Sequence, residues 1–162
     1  MNIVGTSALI PWDRATGSEE PWPRQTIAGF PSGREFLALN AAYRPTGGLA
    51  RGDDLARLLE DHRFGDFVSL AGLVESGEIF GFEWQRKFWV PMFQFELRDM
   101  SSKPAVRQVR EELATAFDGW PLAAWFADAN AWLSARRPVD LLDSDLPAVM
   151  DAARADRFIA AG

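Results

Sequence analysis

The chain of 162 residues contains no cysteine and a single histidine, His62. Without thiols there is no disulfide, no thiolate nucleophile and no sulfur-ligated metal site. No apolar run approaches the roughly 20 residues of a membrane-crossing helix. The first residues, MNIVGTSALIPWDR, lack the basic flank and long apolar stretch of a secretory leader. The expected location is the cytoplasm, with no membrane contact. A basic arm is also missing. Residues 1–50 balance four acidic against four basic side chains, residues 51–100 carry ten against six, and residues 101–162 nine against seven. A net charge of −6 disfavours nonspecific nucleic-acid binding, which needs a positive surface. Internal repeats and low-complexity segments are absent as well.

Catalytic signatures are equally scarce. His62 lies at the end of a Leu-rich segment between Asp61 and Arg63, and no motif supplies the nucleophile or carboxylate that a catalytic histidine requires. One His and no Cys leave only carboxylates for a metal, and their spacing matches no calcium loop. Gly47-Gly48 and Gly72 belong to no Gly-x-x-x-x-Gly-Lys phosphate loop. Pairs such as Asp53-Asp54 and Glu111-Glu112 read as solvated helix positions. The expectation is a protein without enzymatic activity, metal or cofactor.

What is abundant is apolar and aromatic: 48% of residues are hydrophobic, with 7 Trp and 12 Phe. That supplies material for a core, in one domain or two small units sharing one. Residues 1–34, with Pro11, Pro21, Pro23 and Pro31, read as part of an irregular arm spanning residues 1–50, with Trp12 and Trp22 as its anchors. A short helix is expected over Gly33–Tyr43, stopped by Pro45 and Gly47-Gly48. Asp53 is placed to cap a helix carrying Leu55, Leu58 and Leu59. After a break at Phe64-Gly65, Asp66 would cap a second helix to Ser76, with Phe67, Leu70, Ala71 and Val74 inward and Gly77 as its C′ glycine. Ile79–Trp84 and Phe88–Glu96 form a hairpin around Gln85-Arg86-Lys87, with Pro91 restricting the second strand to an edge or bulge.

Pro104 then opens a helix with Val106, Val109, Leu113 and Phe117 inward, ended by Asp118-Gly119. A second helix follows over Trp120–Asn130, then a turn over 131–135. Pro138 fixes a break before the apolar Val139, Leu141 and Leu142. Ser144 or Asp145 caps a last helix with Val149, Ala152 and Ile159 inward. The fold class expected is mainly α with one β-hairpin. Residues 51–100 form a winged helix-turn-helix-like unit, and residues 101–162 a small C-terminal helical bundle.

Helix, break, helix and two-stranded wing are the layout of winged DNA readers. Ser69 on the second helix and Arg86 and Lys87 at the wing are the candidate DNA contacts. Asp66 and Glu75 are, however, the only charges on that helix, and it has no Arg, Lys, Asn or Gln for base edges. Trp120, Trp125 and Trp132 lie within 13 residues. Most of this aromatic set belongs in the core, although Trp is also a frequent interface anchor.

The run Trp125-Phe126, Asn130, Trp132-Leu133, Arg136-Arg137-Pro138-Val139-Asp140-Leu141-Leu142 resembles the toxin-binding domain of Xre/MbcA/ParS-like antitoxins. Ala135 stands where many members have Gly, and Pro91-Met92-Phe93-Gln94-Phe95 is similar to a Pro-x-Phe-Gln-Phe segment of longer members. The resemblance covers residues 53–162. It implies an antitoxin-like protein that occludes the active site of a RES-type, NAD-consuming toxin. Trp125, Asn130, Leu133, Arg137, Pro138, Leu141 and Leu142 would form its platform. Arg154, Arg157, Phe158, Ile159 and Gly162 would face the toxin. Two other readings stay open: a DNA-binding regulator using residues 53–96, and a non-catalytic adaptor, including a homodimer.

Overall fold

A computed structural model describes residues 31–62 and 69–162. The expected arm with Trp12 and Trp22, the break at Phe64-Gly65, the Asp66 cap and Phe67 lie outside the described residues. Two compact units divide the chain at residues 36 and 37. Helix α1 spans Gly33–Tyr43, the bounds its sequence implies. Its start is a capping box: the Glu35 N–H donates to Ser32 Oγ and the Ser32 N–H to Glu35 Oε2. Hydrogen bonding to the Ser32 backbone N–H, and after it to the Ser32 side chain, holds the Glu35 carboxyl below its ordinary pKa.

The second unit is mainly helical with a small antiparallel sheet. Strand β1 (Leu49–Arg51) runs straight into α2 (Gly52–His62), followed by α3 (Leu70–Glu75), β2 (Phe82–Trp84) and β3 (Lys87–Pro91). The sheet order is β1-β3-β2, with Ala50 opposite Val90 and Phe82 opposite Trp89. A division at residue 50 would therefore cut a strand that is paired to the hairpin. Asp53 sits in the first turn of α2 instead of capping it, because the strand leaves no separate cap position. The start of α3 in the described residues is capped by Ser69, whose Oγ accepts from the Gly72 N–H at 3.0 Å. Its end is a Schellman closure: the Glu78 N–H returns to the Leu73 carbonyl and the Gly77 N–H to Val74, with Gly77 at φ +76°. Ala71 is exposed, and the inward stripe of α3 is the buried Leu73 flanked by the partly buried Leu70 and Val74.

The expected hairpin forms but is shorter and differently placed. Gln85 and Arg86 are its two-residue turn, both at positive φ (50° and 60°), the geometry that matches strand twist. Strand β3 is central, not an edge. Pro91 is accommodated because it ends the ladder opposite Leu49. Beyond it Met92–Gln94 make a 3-10 turn, and β4 (Phe95–Glu96) pairs with β5 (Ser101–Ser102). Between them Met100 takes a left-handed backbone, at φ +57°. Leu55, Leu59, Leu73, Ile79, Val90, Met92, Phe95 and Met100 form the core of this part.

The remaining helices are α4 (Pro104–Leu113), α5 (Gly119–Ala127), α6 (Pro138–Leu141) and α7 (Leu146–Ala161). Asp118-Gly119 begins α5 rather than ending α4, since Asp118 accepts from the Gly119 N–H. Arg110 donates to the Gly77 carbonyl and ties α4 to the end of α3. An aromatic seam joins the sheet part to these helices. Tyr43 stacks on Phe93 at 5.3 Å, Phe93 meets Phe126 at 5.0 Å, and Phe126 stacks on Phe80 at 5.7 Å. Gln94, fully buried, clamps the seam. Its amide Nε2 donates to the carbonyls of Phe80 and Pro91, and its Oε1 accepts from the Phe80 N–H, all within 3.0 Å. Among the described residues no helix is long and apolar enough to cross a membrane.

Candidate protein-binding site

The segment from Trp125 to Leu142 folds around Asn130, whose side chain is nearly buried. Its Oδ1 caps the 3-10 turn Ala131–Leu133 by accepting from the Trp132 N–H at 2.9 Å. Its backbone pairs with Arg136 and accepts from Ala135. To close so tight a loop, Ser134 and Ala135 both take left-handed backbone (φ 57° and 63°). Ala135 thus sits in a conformation that glycine adopts without steric penalty.

Arg137 and Pro138 then start α6. The Arg137 guanidinium grips Asp140 with two bonds of 2.8 Å and donates to the Ala42 carbonyl at 2.6 Å. The Asp140 bonds raise the Arg137 pKa further above its ordinary value. Nearby, the Tyr43 hydroxyl donates to the Ala123 carbonyl. Burial, reinforced by the field of Asp128, pushes that hydroxyl well above its ordinary pKa. Leu133, Pro138, Val139, Leu141 and Leu142 are buried, where α6 packs on α5 and α7 and the 131–133 turn packs on α7.

The feature that sequence reasoning missed is Asp156 on α7. Its Oδ2 accepts from Trp125 Nε1 (2.8 Å) and Asn130 Nδ2 (2.7 Å), and its Oδ1 from Trp132 Nε1 (2.9 Å). Two indoles and an amide are thereby anchored on one carboxylate. Trp125 is 9% exposed and belongs to the core, whereas Trp132 is 58% exposed with its N–H fixed. Only the spacing of Asp156 from Val149 and Ala152 on the inward face of α7 hinted at this position.

The residues named for the partner face lie on the last turns of α7. Phe158 is 80% and Ile159 63% exposed, which overturns the inward placement of Ile159. The buried residues of α7 end at Ala153, and beyond it Asp156 and Arg157 still bond to neighbouring elements while Phe158 and Ile159 face solvent. Arg157 pairs with Glu112 of α4 at 3.0 Å, and Arg154 reaches Glu112 at 3.8 Å and Asp151 at 2.7 Å. Both arginines are thus partly committed to holding α7 on α4. Gly162 closes the helix by donating to the Ile159 carbonyl. Elsewhere, Ser69 spends its hydroxyl on capping α3, while Arg86 and Lys87 are exposed at the hairpin turn. His62 is exposed, with Nδ1 3.0 Å from the Leu58 carbonyl. Among the described residues no group of His, Asp or Glu is arranged to hold a metal ion. Comparison with family models, curated proteins and solved structures finds no match for this chain.

Proposed function

We propose that the chain is an antitoxin-like binding protein that neutralises a RES-type, NAD-consuming toxin by occluding its active site. The observation that carries this reading is the joint arrangement of platform and tail. Trp125, Phe126, Asn130, Leu133, Pro138, Leu141 and Leu142 of the resembling pattern are buried, and the helix after it ends in an exposed apolar turn, Phe158 and Ile159. The left-handed backbone at Ala135, where the resembling pattern has glycine, also supports it. A large apolar side chain held on a rigid helix is a low-entropy anchor for a cleft.

Co-expression with a RES-type toxin encoded beside it tests the reading. The full chain restores growth and cellular NAD, and Phe158→Asp with Ile159→Asp abolishes the rescue while leaving the fold intact. Absence of any complex, or full rescue by the double variant, rejects it.

A second reading, a DNA-binding regulator, is favoured by one observation. The order helix, strand, two helices, two strands, with the first strand paired to the last of the three, resembles the layout of winged DNA readers and supports this reading. Arg86 and Lys87 at its turn would touch phosphate. A salt-dependent mobility shift on the upstream DNA, lost on Arg86→Glu with Lys87→Glu, is the expected result; no shift at low salt removes this reading.

A further inference from the structure

Beside the Asp156 clamp lies a shallow groove of about 370 Å³, formed along α5 and the loop that leaves it. Phe117, Pro121, Ala124 and Trp125 give it apolar walls. Its charged lining residues are Asp128 and Asp156, and no cation lines it. Asp128 is exposed and its carboxylate has no hydrogen bond or ion pair among the described residues. Asp156 takes three N–H donors, so of the about four acceptor positions of a carboxylate one stays open, on Oδ1.

We propose that this groove docks an arginine side chain presented by a protein partner. The aliphatic stem lies along Phe117, Pro121 and Ala124, and the guanidinium meets Asp128 and the open position of Asp156 beside the Trp125 indole. A phosphate-bearing ligand would face two carboxylates, and a wholly apolar insert would strip water from both without replacing it. Guanidinium answers both constraints: it is planar, weakly hydrated, forked to match a carboxylate and favourable beside an aromatic ring. The chain's net charge of −6 draws a basic segment toward the site. The proposal stands apart from the toxin reading, since any protein partner with an exposed arginine satisfies it.

The test titrates the blocked tripeptide acetyl-Gly-Arg-Gly-amide into the full chain and follows the indole N–H resonances of Trp125 and Trp132 by NMR. The expected result is a saturable shift at both, about tenfold weaker with neutral citrulline in place of arginine, as for loss of a charge-assisted bond. Asp128→Asn weakens binding to a similar degree, whereas Asp54→Asn, an exposed acid on α2 outside the groove, leaves it unchanged. Equal binding of the citrulline peptide, equal weakening by Asp54→Asn, or the absence of a saturable shift overturns the proposal. Equal binding of a lysine peptide overturns the assignment to arginine.

Discussion

Tyr43 is the one tyrosine in the chain, and it is buried at the centre of the aromatic seam with its hydroxyl on the Ala123 carbonyl. Its pKa is raised on folding, so the folded state holds this proton more tightly than the unfolded chain. The stability it contributes is complete below the unfolded value of about 10 and declines as pH rises above it. Absorbance titration reads Tyr43 alone, and it should remain un-ionised above pH 10 until the chain unfolds cooperatively. Tyr43→Phe should cost about 1 kcal/mol at neutral pH and flatten the alkaline limb. Asp156 is the matching residue at the surface. Asp156→Asn replaces an acceptor of three N–H groups by a side chain that is itself half donor. We expect a loss of about 2 kcal/mol, with the Trp132 indole N–H shifting toward its solvent-exposed position in NMR spectra. Ala135 is strained in the opposite sense: Ala135→Gly relieves a left-handed backbone and should raise stability by about 1 kcal/mol in a denaturant titration.

At the level of elements, the Pro91–Phe95 segment explains itself physically. Pro91 ends the central strand, Phe93 and Phe95 turn into two parts of the core, and Gln94 between them bonds Phe80 at both backbone groups. Gly81, next to Phe80, is equally constrained. A Cβ there would come within 2.4 Å of the Phe88 ring and 2.5 Å of the Trp89 carbonyl. Gln94→Leu keeps the volume but leaves the buried N–H and carbonyl of Phe80 without their partner. The expected cost is about 2–4 kcal/mol, read as a lowered denaturant midpoint at constant slope. A change under 1 kcal/mol would mean that water replaces the amide.

Across the molecule, residues 37–162 behave as one unit because the aromatic seam is shared. Phe126 of α5 packs on Phe80 and Phe93, and Arg137 of α6 bonds the Ala42 carbonyl of α1. A fragment of residues 101–162 would expose Leu122, Phe126 and Val139 to water. It should bind hydrophobic dyes and melt without a sharp transition, while the full chain shows coincident far-UV and tryptophan fluorescence transitions. A fragment that melts sharply and binds no dye contradicts a shared core.

Local chemistry settled much of this in advance. The bounds of α1, the Gly77 closure of α3, the proline-led start of α4 and the inward Val106, Val109 and Leu113 follow from caps, fixed φ angles and helical period, whereas Pro138 reads only as a break and in fact opens α6. The buried Val139, Leu141 and Leu142 were legible for the same reason. What required the tertiary structure was everything set by partners distant in sequence. Strand β1 is three residues long and exists by pairing with β3, which in turn makes Pro91's strand central. Ile159 has a core-like spacing, but the buried stripe of α7 ends at Ala153 and the residue is solvent-facing. Asp156 looks like any surface acid until α7 carries it to two tryptophans and an asparagine 24 to 31 positions earlier. Periodicity reports which face of a helix turns inward; only packing decides where that inside ends and which donors wait there.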